Sequence, residues 1–182
     1  MVITGGPGTG KTTIINAILK IFSKLKVKIL LAAPTGRAAK RMNETSGHEA
    51  KTIHRLLEYS FQKGGFKKNE EKPLKCDLMI VDEASMIDTI LMHHLLKAIP
   101  KKSTLVLVGD VNQLPSVGAG NVLNDIIASG ALPVVKLNEI FRQAKESRII
   151  VNAHRINNGL MPSVDASNSK SDFYFIEKEK PE

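Results

Sequence analysis

The chain has 182 residues, 42% of them hydrophobic, enough for one ordinary domain with a real core, and its single cysteine, Cys76, excludes an internal disulfide and a cysteine-only metal site. No apolar run is long enough to span a membrane and the first residues carry no signal-peptide pattern, so the cytoplasm is the expected compartment. The net charge of +8, from 26 Lys+Arg against 18 Asp+Glu, is the balance expected of a protein that meets nucleic acid or an anionic membrane, although many basic proteins meet neither.

Val2 and Ile3 end a short apolar run, and Gly5 to Thr13 follows as GGPGTGKTT. This contains G-x-x-x-x-G-K-[ST], with Gly5, Gly10, Lys11 and Thr12 in the fixed positions, the spacing of a phosphate-binding loop. Its glycines let the backbone bend until successive N–H groups point at phosphate oxygens. The candidate nucleotide contacts are Gly5, Gly6, Pro7, Gly8, Thr9, Gly10, Lys11, Thr12 and Thr13. Lys11 can reach the β- and γ-phosphates, and the Thr12 hydroxyl can ligate Mg²⁺. An amphipathic helix is predicted next, with Ile14, Ile15, Ile18, Leu19, Phe22 and Leu25 inward and its positive dipole end toward the phosphates. The alternative is a Gly-rich turn that binds nothing, and the order strand, loop, Lys-Thr, helix argues against it.

Val27 to Pro34 reads as a buried strand ended by proline, and Thr35-Gly36-Arg37 turns into a basic helix. Thr35, Arg37, Lys40 and Arg41 suit a phosphate backbone, or else form a solvated helix face. Lys51 to Leu57 (KTIHRLL) predicts a short helix with Ile53, Leu56 and Leu57 inward; His54 there could be a plain packed histidine. From Glu58 to Lys75 the pattern breaks. Tyr59, Phe61 and Phe66 flank Gly64-Gly65, which predicts a hairpin, with a solvated loop as the alternative.

Asp77 to Val81 is an apolar strand ending in Asp82 and Glu83. Behind a phosphate loop, the first carboxylate helps hold Mg²⁺ and the second can orient and deprotonate the attacking water. Leu91, Leu95, Leu96 and Ile99 mark a helix that Pro100 closes. Thr104 to Val108 is a strand ending at Gly109-Asp110. Just beyond it, the neutral amide of Gln113 can bond both the γ-phosphate and the water. A helix is predicted at Val122 to Ser129 and a fifth strand at Val134 to Leu137. Arg142 follows. It either stabilises transition-state charge at the γ-phosphate or pairs with Glu139 or Glu146 at the surface. Ser147 to Asn157 predicts a helix with Ile149, Ile150, Ala153 and Ile156 on one face; Ser163 to Ser171 is a polar linker and Asp172 to Glu177 a strand.

Alternating strands and helices, with five near-continuous apolar strands, predict an α/β fold: a mainly parallel five-stranded sheet flanked by helices. Such sheets place ligands at the carboxyl ends of their strands, so the phosphate loop, Asp82-Glu83 and Asp110 to Gln113 should converge. The low aromatic content of 4%, with no Trp, favours phosphate contacts over base stacking on any single-stranded nucleic acid.

The ordered set of motifs resembles superfamily 1 DNA helicases over nearly the whole chain, most closely the RecD-like branch (the exodeoxyribonuclease V alpha-type ATPases). GGPGTGKTT, APTGRAAKRM, KTIHRLL, DLMIVDEASMID, LVGDVNQLPSVGAGNVLNDI and LNEIFRQAKESRIIVNAHRINNG look like the family's motifs I, Ia, Ib, II, III and the motif IV region, in that order. The resemblance implies a RecA-like P-loop first motor domain at residues 1–162, with a small hairpin insertion at about 58–76. It implies that the strand before Gln113 lies between those of the phosphate loop and of Asp82. It further implies ATP and Mg²⁺ as cofactors, and ATP hydrolysis coupled to 5′-to-3′ movement along single-stranded DNA in repair or recombination. Lys11, Glu83, Gln113 and Arg142 match catalytic positions, Thr12 and Asp82 metal positions, and Pro34, Thr35, Gly36, Arg37, Thr52 and His54 lie in segments that face DNA.

Departures from the family set further expectations. The adenine-reading glutamine would lie upstream of Met1, and motifs V and VI with the second motor domain are absent. Residues 163–182 would then be the linker and first strand of that second domain, which is the expected partner alongside single-stranded DNA. The chain is expected to be a fragment that binds nucleotide, hydrolyses ATP poorly and does not unwind DNA. The rival reading is a non-catalytic nucleotide- or DNA-binding P-loop domain. A GTPase would need Asn-Lys-x-Asp, which is absent, and a kinase usually has no carboxylate where Glu83 sits.

Overall fold

The computed structural model describes residues 1–60, 62, 64–141, 144, 146–163 and 171–174. In chain order it runs β1 (Val2–Gly5), α1 (Lys11–Ser23), β2 (Ile29–Ala33), α2 (Gly36–Ser46), β3 (Ala50–Thr52), α3 (Ile53–Leu56), β4 (Tyr59–Ser60) and β5 (Gly65–Phe66). It continues with β6 (Leu78–Val81), a 3₁₀ turn (Ala84–Met86), α4 (Thr89–Ala98), β7 (Thr104–Gly109), α5 (Val122–Ala128), β8 (Val134–Leu137) and α6 (Arg148–Asn157).

Side chains that alternate along the central strands build two apolar faces. Ile3, Leu31, Leu78, Ile80, Val106 and Val108 point to one face, where Ile15 and Leu19 of α1 and Met42 of α2 cover them. Val2, Ala32, Met79, Val81 and Leu107 point to the other, beneath Leu91 and Leu95 of α4 and Leu123 of α5. Because both faces are buried, the strands read as continuous apolar runs. The six-stranded sheet has the order β3-β2-β6-β7-β1-β8, and every pairing in it is parallel. β7 lies between β6 and β1, as the resemblance implied.

Several expectations are corrected by packing. The sheet has six strands rather than five because Ala50–Thr52 pairs with β2, Ala50 opposite Leu31 and Thr52 opposite Ala33. Lys51 and Thr52 are therefore strand, and only Ile53–Leu56 is helical. Leu25 lies beyond the end of α1 at Ser23 and is exposed. On α4 the inward stripe is Leu91, Met92, Leu95 and Ala98, which turns Leu96 to solvent. On α6 Ile149 and Ile156 are exposed, while Asn152 is buried on the same side with its amide satisfied. Asn152 Nδ2 donates to the Ser163 carbonyl at 3.1 Å, and the Ser163 N–H donates to Asn152 Oδ1 at 2.8 Å.

The hairpin is present, with Tyr59 opposite Phe66 and Ser60 opposite Gly65; Phe61 lies outside the described residues. Asp172 to Tyr174 form no strand, and residues 164–170 and 175–182 lie outside the described set. Asp172 instead caps α6: Oδ2 accepts from Ser147 Oγ at 2.6 Å and Oδ1 from the Arg148 N–H at 2.7 Å. Cys76 is buried in the core, and burial pushes its thiol pKa up, in keeping with an inert residue. No helix among the described residues is long and apolar enough to cross a membrane.

The two faces of α4 give a direct test. Leu95 is 0% exposed and Leu96 54% exposed. Leu95→Ala is expected to lower unfolding free energy by about 2–5 kcal/mol, and Leu96→Ala by no more than about 0.5 kcal/mol, in denaturant titrations. Equal losses would contradict this packing.

Candidate active site

Because β7 and β8 flank β1, and β6 lies beyond β7, the loops that leave β1, β6 and β7 are neighbours at one end of the sheet. They enclose a cavity of about 770 Å³. Gly6 to Thr13, Asp82, Glu83 and Gln113 all line it, so the convergence expected from the strand ends is present. Gly5 lies just behind, its carbonyl accepting from Lys11 Nζ at 2.6 Å; the Gly6 carbonyl accepts from the same amine at 3.0 Å and from Thr9 Oγ at 2.8 Å.

The loop takes its shape from two left-handed glycines, Gly8 (φ +75°) and Gly10 (φ +87°), the latter starting α1. Neither has room for a side chain: a Cβ on Gly8 would lie 2.6 Å from Ala144 Cβ, and one on Gly10 would collide with the Phe141 ring. Phe141, Ala144 and Ile150 thus form part of the cavity wall. From α6, His154 Nε2 contacts the Pro7 carbonyl at 2.8 Å. All four lie in the run that resembles the motif IV region, where sequence reasoning assigned none of them a role at the nucleotide. The i, i+4 spacing of Ile150 and His154 on a helix was the available signal.

Asp82 is a half-buried carboxylate at the end of β6, and its Oδ1 accepts the Glu83 N–H at 2.9 Å. Glu83 sits at φ 53°, ψ 40°, a left-handed conformation costly for a side-chain-bearing residue and concentrated at functional sites. Burial pushes both carboxyl pKa values up. Their mutual repulsion raises Glu83 further, while Lys11 and Arg41 pull both back. Arg41, assigned above to a basic helix face, therefore also belongs to the nucleotide cavity.

Gln113 is held by Asp110, a 1% exposed carboxylate. Asp110 Oδ2 accepts from Gln113 Nε2 at 3.1 Å and Oδ1 from the Asn112 N–H at 3.0 Å. Arg142 lies outside the described residues.

The expected DNA-facing residues separate into two places. Pro34 ends the β2 segment, and Thr35, Gly36 and Arg37 open α2, where Thr35 Oγ accepts the Ala38 N–H at 3.2 Å as its N-cap. Thr35 and Arg37 line a groove shared with Arg41, Glu83 and Gln113. Thr52 caps α3 in the same way, accepting the Arg55 N–H at 3.2 Å. His54 belongs to a different cavity, its ring 6.0 Å from Tyr59 and 5.6 Å from Phe66, so it packs against the hairpin.

A phosphate loop, a strand-end Asp-Glu pair and a strand-end glutamine meeting on one parallel sheet define a RecA-like P-loop nucleotide-binding domain. Residues 1–119 match the family model described as an AAA domain, and the chain belongs to that family, in its RecD-like superfamily 1 branch. It is similar to the ATP-dependent RecD2 DNA helicase of Deinococcus radiodurans, 44% identical over 163 residues, 90% of this chain and 22% of that protein. It is also 37% identical over 149 residues to the RecBCD enzyme subunit RecD of Haemophilus influenzae, 69% of this chain and 23% of that protein. Among solved structures, the Pif1 helicase from Candida albicans aligns with a TM-score of 0.63 at 25% identity, over 89% of this chain and 41% of that one. The chain spans less than a quarter of the length of these two curated relatives.

Both carboxyls at the end of β6 titrate higher in the folded chain than in the unfolded one. Their protonation therefore favours folding. That contribution is complete below the ordinary 3.8 and 4.5 of the free side chains and is lost as pH rises through the raised values. Glu83→Gln removes its own share. Without nucleotide it should melt above wild type at pH 7, with the difference narrowing toward pH 4. Thermal unfolding across pH measures this, and a pH-independent difference would contradict the assigned shift.

Proposed function

We propose that this chain is the ATP-binding first motor domain of an ATP-dependent DNA helicase that tracks on single-stranded DNA. The observation that carries the reading is the convergence of Lys11, Thr12, Asp82, Glu83 and Gln113 on one cavity. Lys11 swings from the Gly5 and Gly6 carbonyls to the β- and γ-phosphates, and the loop N–H groups and the N-terminus of α1 surround them. Glu83, its pKa raised by burial, is the general base that orients and deprotonates water. Gln113, held by Asp110, senses the γ-phosphate, and Arg142 adds positive charge there.

The donor set fits Mg²⁺. Thr12 and Asp82 present hard oxygens to the same cavity, and among the described residues Asp82 engages Oδ1 with the Glu83 N–H, leaving Oδ2 for the ion or its water. Thr12 and Asp82 would hold the ion, which would supply positive charge to offset the negative charge developing on the phosphates.

Pro34 to Arg37 and Thr52 are the DNA-facing segments. Each capping threonine accepts one backbone N–H and keeps its own O–H to donate to a phosphate. Arg37 is exposed and makes no ion pair among the described residues. His54 contributes through the hairpin it braces. Direction of travel, 5′ to 3′, and a role in repair or recombination belong to the longer protein, as does unwinding. These 182 residues alone are proposed to bind ATP, turn it over slowly and not separate strands.

ATP hydrolysis with and without single-stranded DNA tests the reading. Slow, DNA-stimulated turnover is expected, with Lys11→Ala losing ATP affinity and Glu83→Gln binding ATP but losing about a hundredfold or more in rate. Binding without any turnover favours the non-catalytic alternative, and DNA-independent turnover favours a P-loop ATPase of another kind. Oligonucleotide affinity should fall steeply with salt, and Arg37→Ala should reduce the log–log slope by about 0.7. An unchanged slope would remove Arg37 from the track.

A further inference from the structure

We propose that His154 is a positioning residue of the nucleotide site: it holds the Pro7 carbonyl outward and so aims the Gly8 N–H into the phosphate cavity. The inference rests on the nucleotide reading above and adds to it a residue from the far end of the chain.

Gly6-Pro7-Gly8-Thr9 is a turn with proline second and a positive-φ glycine third, the pattern of type II. Type I and type II turns differ by a flip of the central peptide, here Pro7–Gly8. That peptide is planar and trans, so the Pro7 C=O and the Gly8 N–H point in opposite directions. Glycine tolerates either sign of φ, so nothing within the turn stops the flip. The contact that does is His154 Nε2 to the Pro7 carbonyl at 2.8 Å. A carbonyl only accepts, so Nε2 carries the hydrogen in this bond.

Two further contacts fix the ring and the turn. A Cβ on Gly6 would lie 2.6 Å from His154 Cε1, so the imidazole rests flush against bare backbone. Ile150, one helical turn earlier, lies 3.2 Å from where a Gly8 Cβ would be. α6 therefore grips the turn at the edge of the cavity: Ile150 forms part of the cavity wall, and His154 lies off it, in a neighbouring cleft that also contains Gly5 and Gly6. With the carbonyl held there, the Gly8 N–H faces the phosphates before they arrive, which is the preorganisation an anion site requires.

Paired substitutions separate orientation from bulk. His154→Phe keeps a ring beside Gly6 but has no donor, whereas His154→Gln keeps an N–H. Affinity would be measured by equilibrium titration with ATP and by competition with inorganic tripolyphosphate, which reports the phosphate contacts alone. His154→Phe should weaken both by about tenfold, the effect of one lost oriented hydrogen bond, and His154→Gln by no more than about threefold. Melting temperature without nucleotide tracks packing. Gly6→Ala displaces the ring in an otherwise intact chain; it should cost about tenfold in wild type and little more in His154→Ala. Wild-type affinity in His154→Phe, equal losses in His154→Phe and His154→Gln, or additive losses with Gly6→Ala would each overturn the proposal. If wild type binds ATP and Lys11→Ala does not, any of these results sinks only the role of His154. If wild type itself fails to bind, the nucleotide reading falls with it.

Discussion

The rest of the molecule depends on the orientation of a few peptide planes between β1 and α1. Those planes belong to glycines and a proline, residues whose own preferences leave the choice open. What settles it is distant in sequence: Leu137 against Gly5, Phe141 against Gly10, Ala144 and Ile150 against Gly8, and His154 against Gly6 and Pro7. The loop that reads as the most local feature of the sequence is thus finished only when Leu137, Phe141, Ala144, Ile150 and His154 pack around it.

The carboxylates at the end of β6 show the opposite balance. The same packing that buries Val81 and Ala84 half-buries Asp82 and Glu83 side by side. Apolar surroundings and mutual repulsion penalise their ionised forms, and Lys11 and Arg41 offset that only in part. The left-handed backbone at Glu83 adds a further local cost. Stability is given up here for the general base and the hard-oxygen donor proposed above, a trade common at active sites.

Much of this was legible in sequence because it is written in short windows. The phosphate loop, the Asp-Glu pair after an apolar run, Gln113 after the next, and the parallel α/β order need no long-range information. The misses are long-range. β3 is three residues long and exists only through its pairing with β2, whereas Ile53, Leu56 and Leu57 nearby suggested helix throughout. Asn152 is buried because the Ser163 backbone satisfies its amide, a partner eleven residues away, whereas spacing points to Ile149 and Ile156, which solvent covers. The strand end places both Asp110 and Gln113 near the site, but the hold of Asp110 on the amide depends on a fold of the loop that composition does not reveal. His54, expected like Thr35 to lie in a DNA-facing segment, is separated from it by the aromatic packing of the hairpin.

The cap at the start of α6 has a mechanical meaning. Asp172 is fastened to Ser147 and Arg148 at the first turn of that helix, and His154, two turns on, is fastened to Pro7. A helix is stiff along its axis, with about 1.5 Å of rise per residue, so a tug on residue 172 is delivered some 10 Å away with little lost in bending. Asp172 and the floor of the phosphate loop sit at the two ends of one short rod.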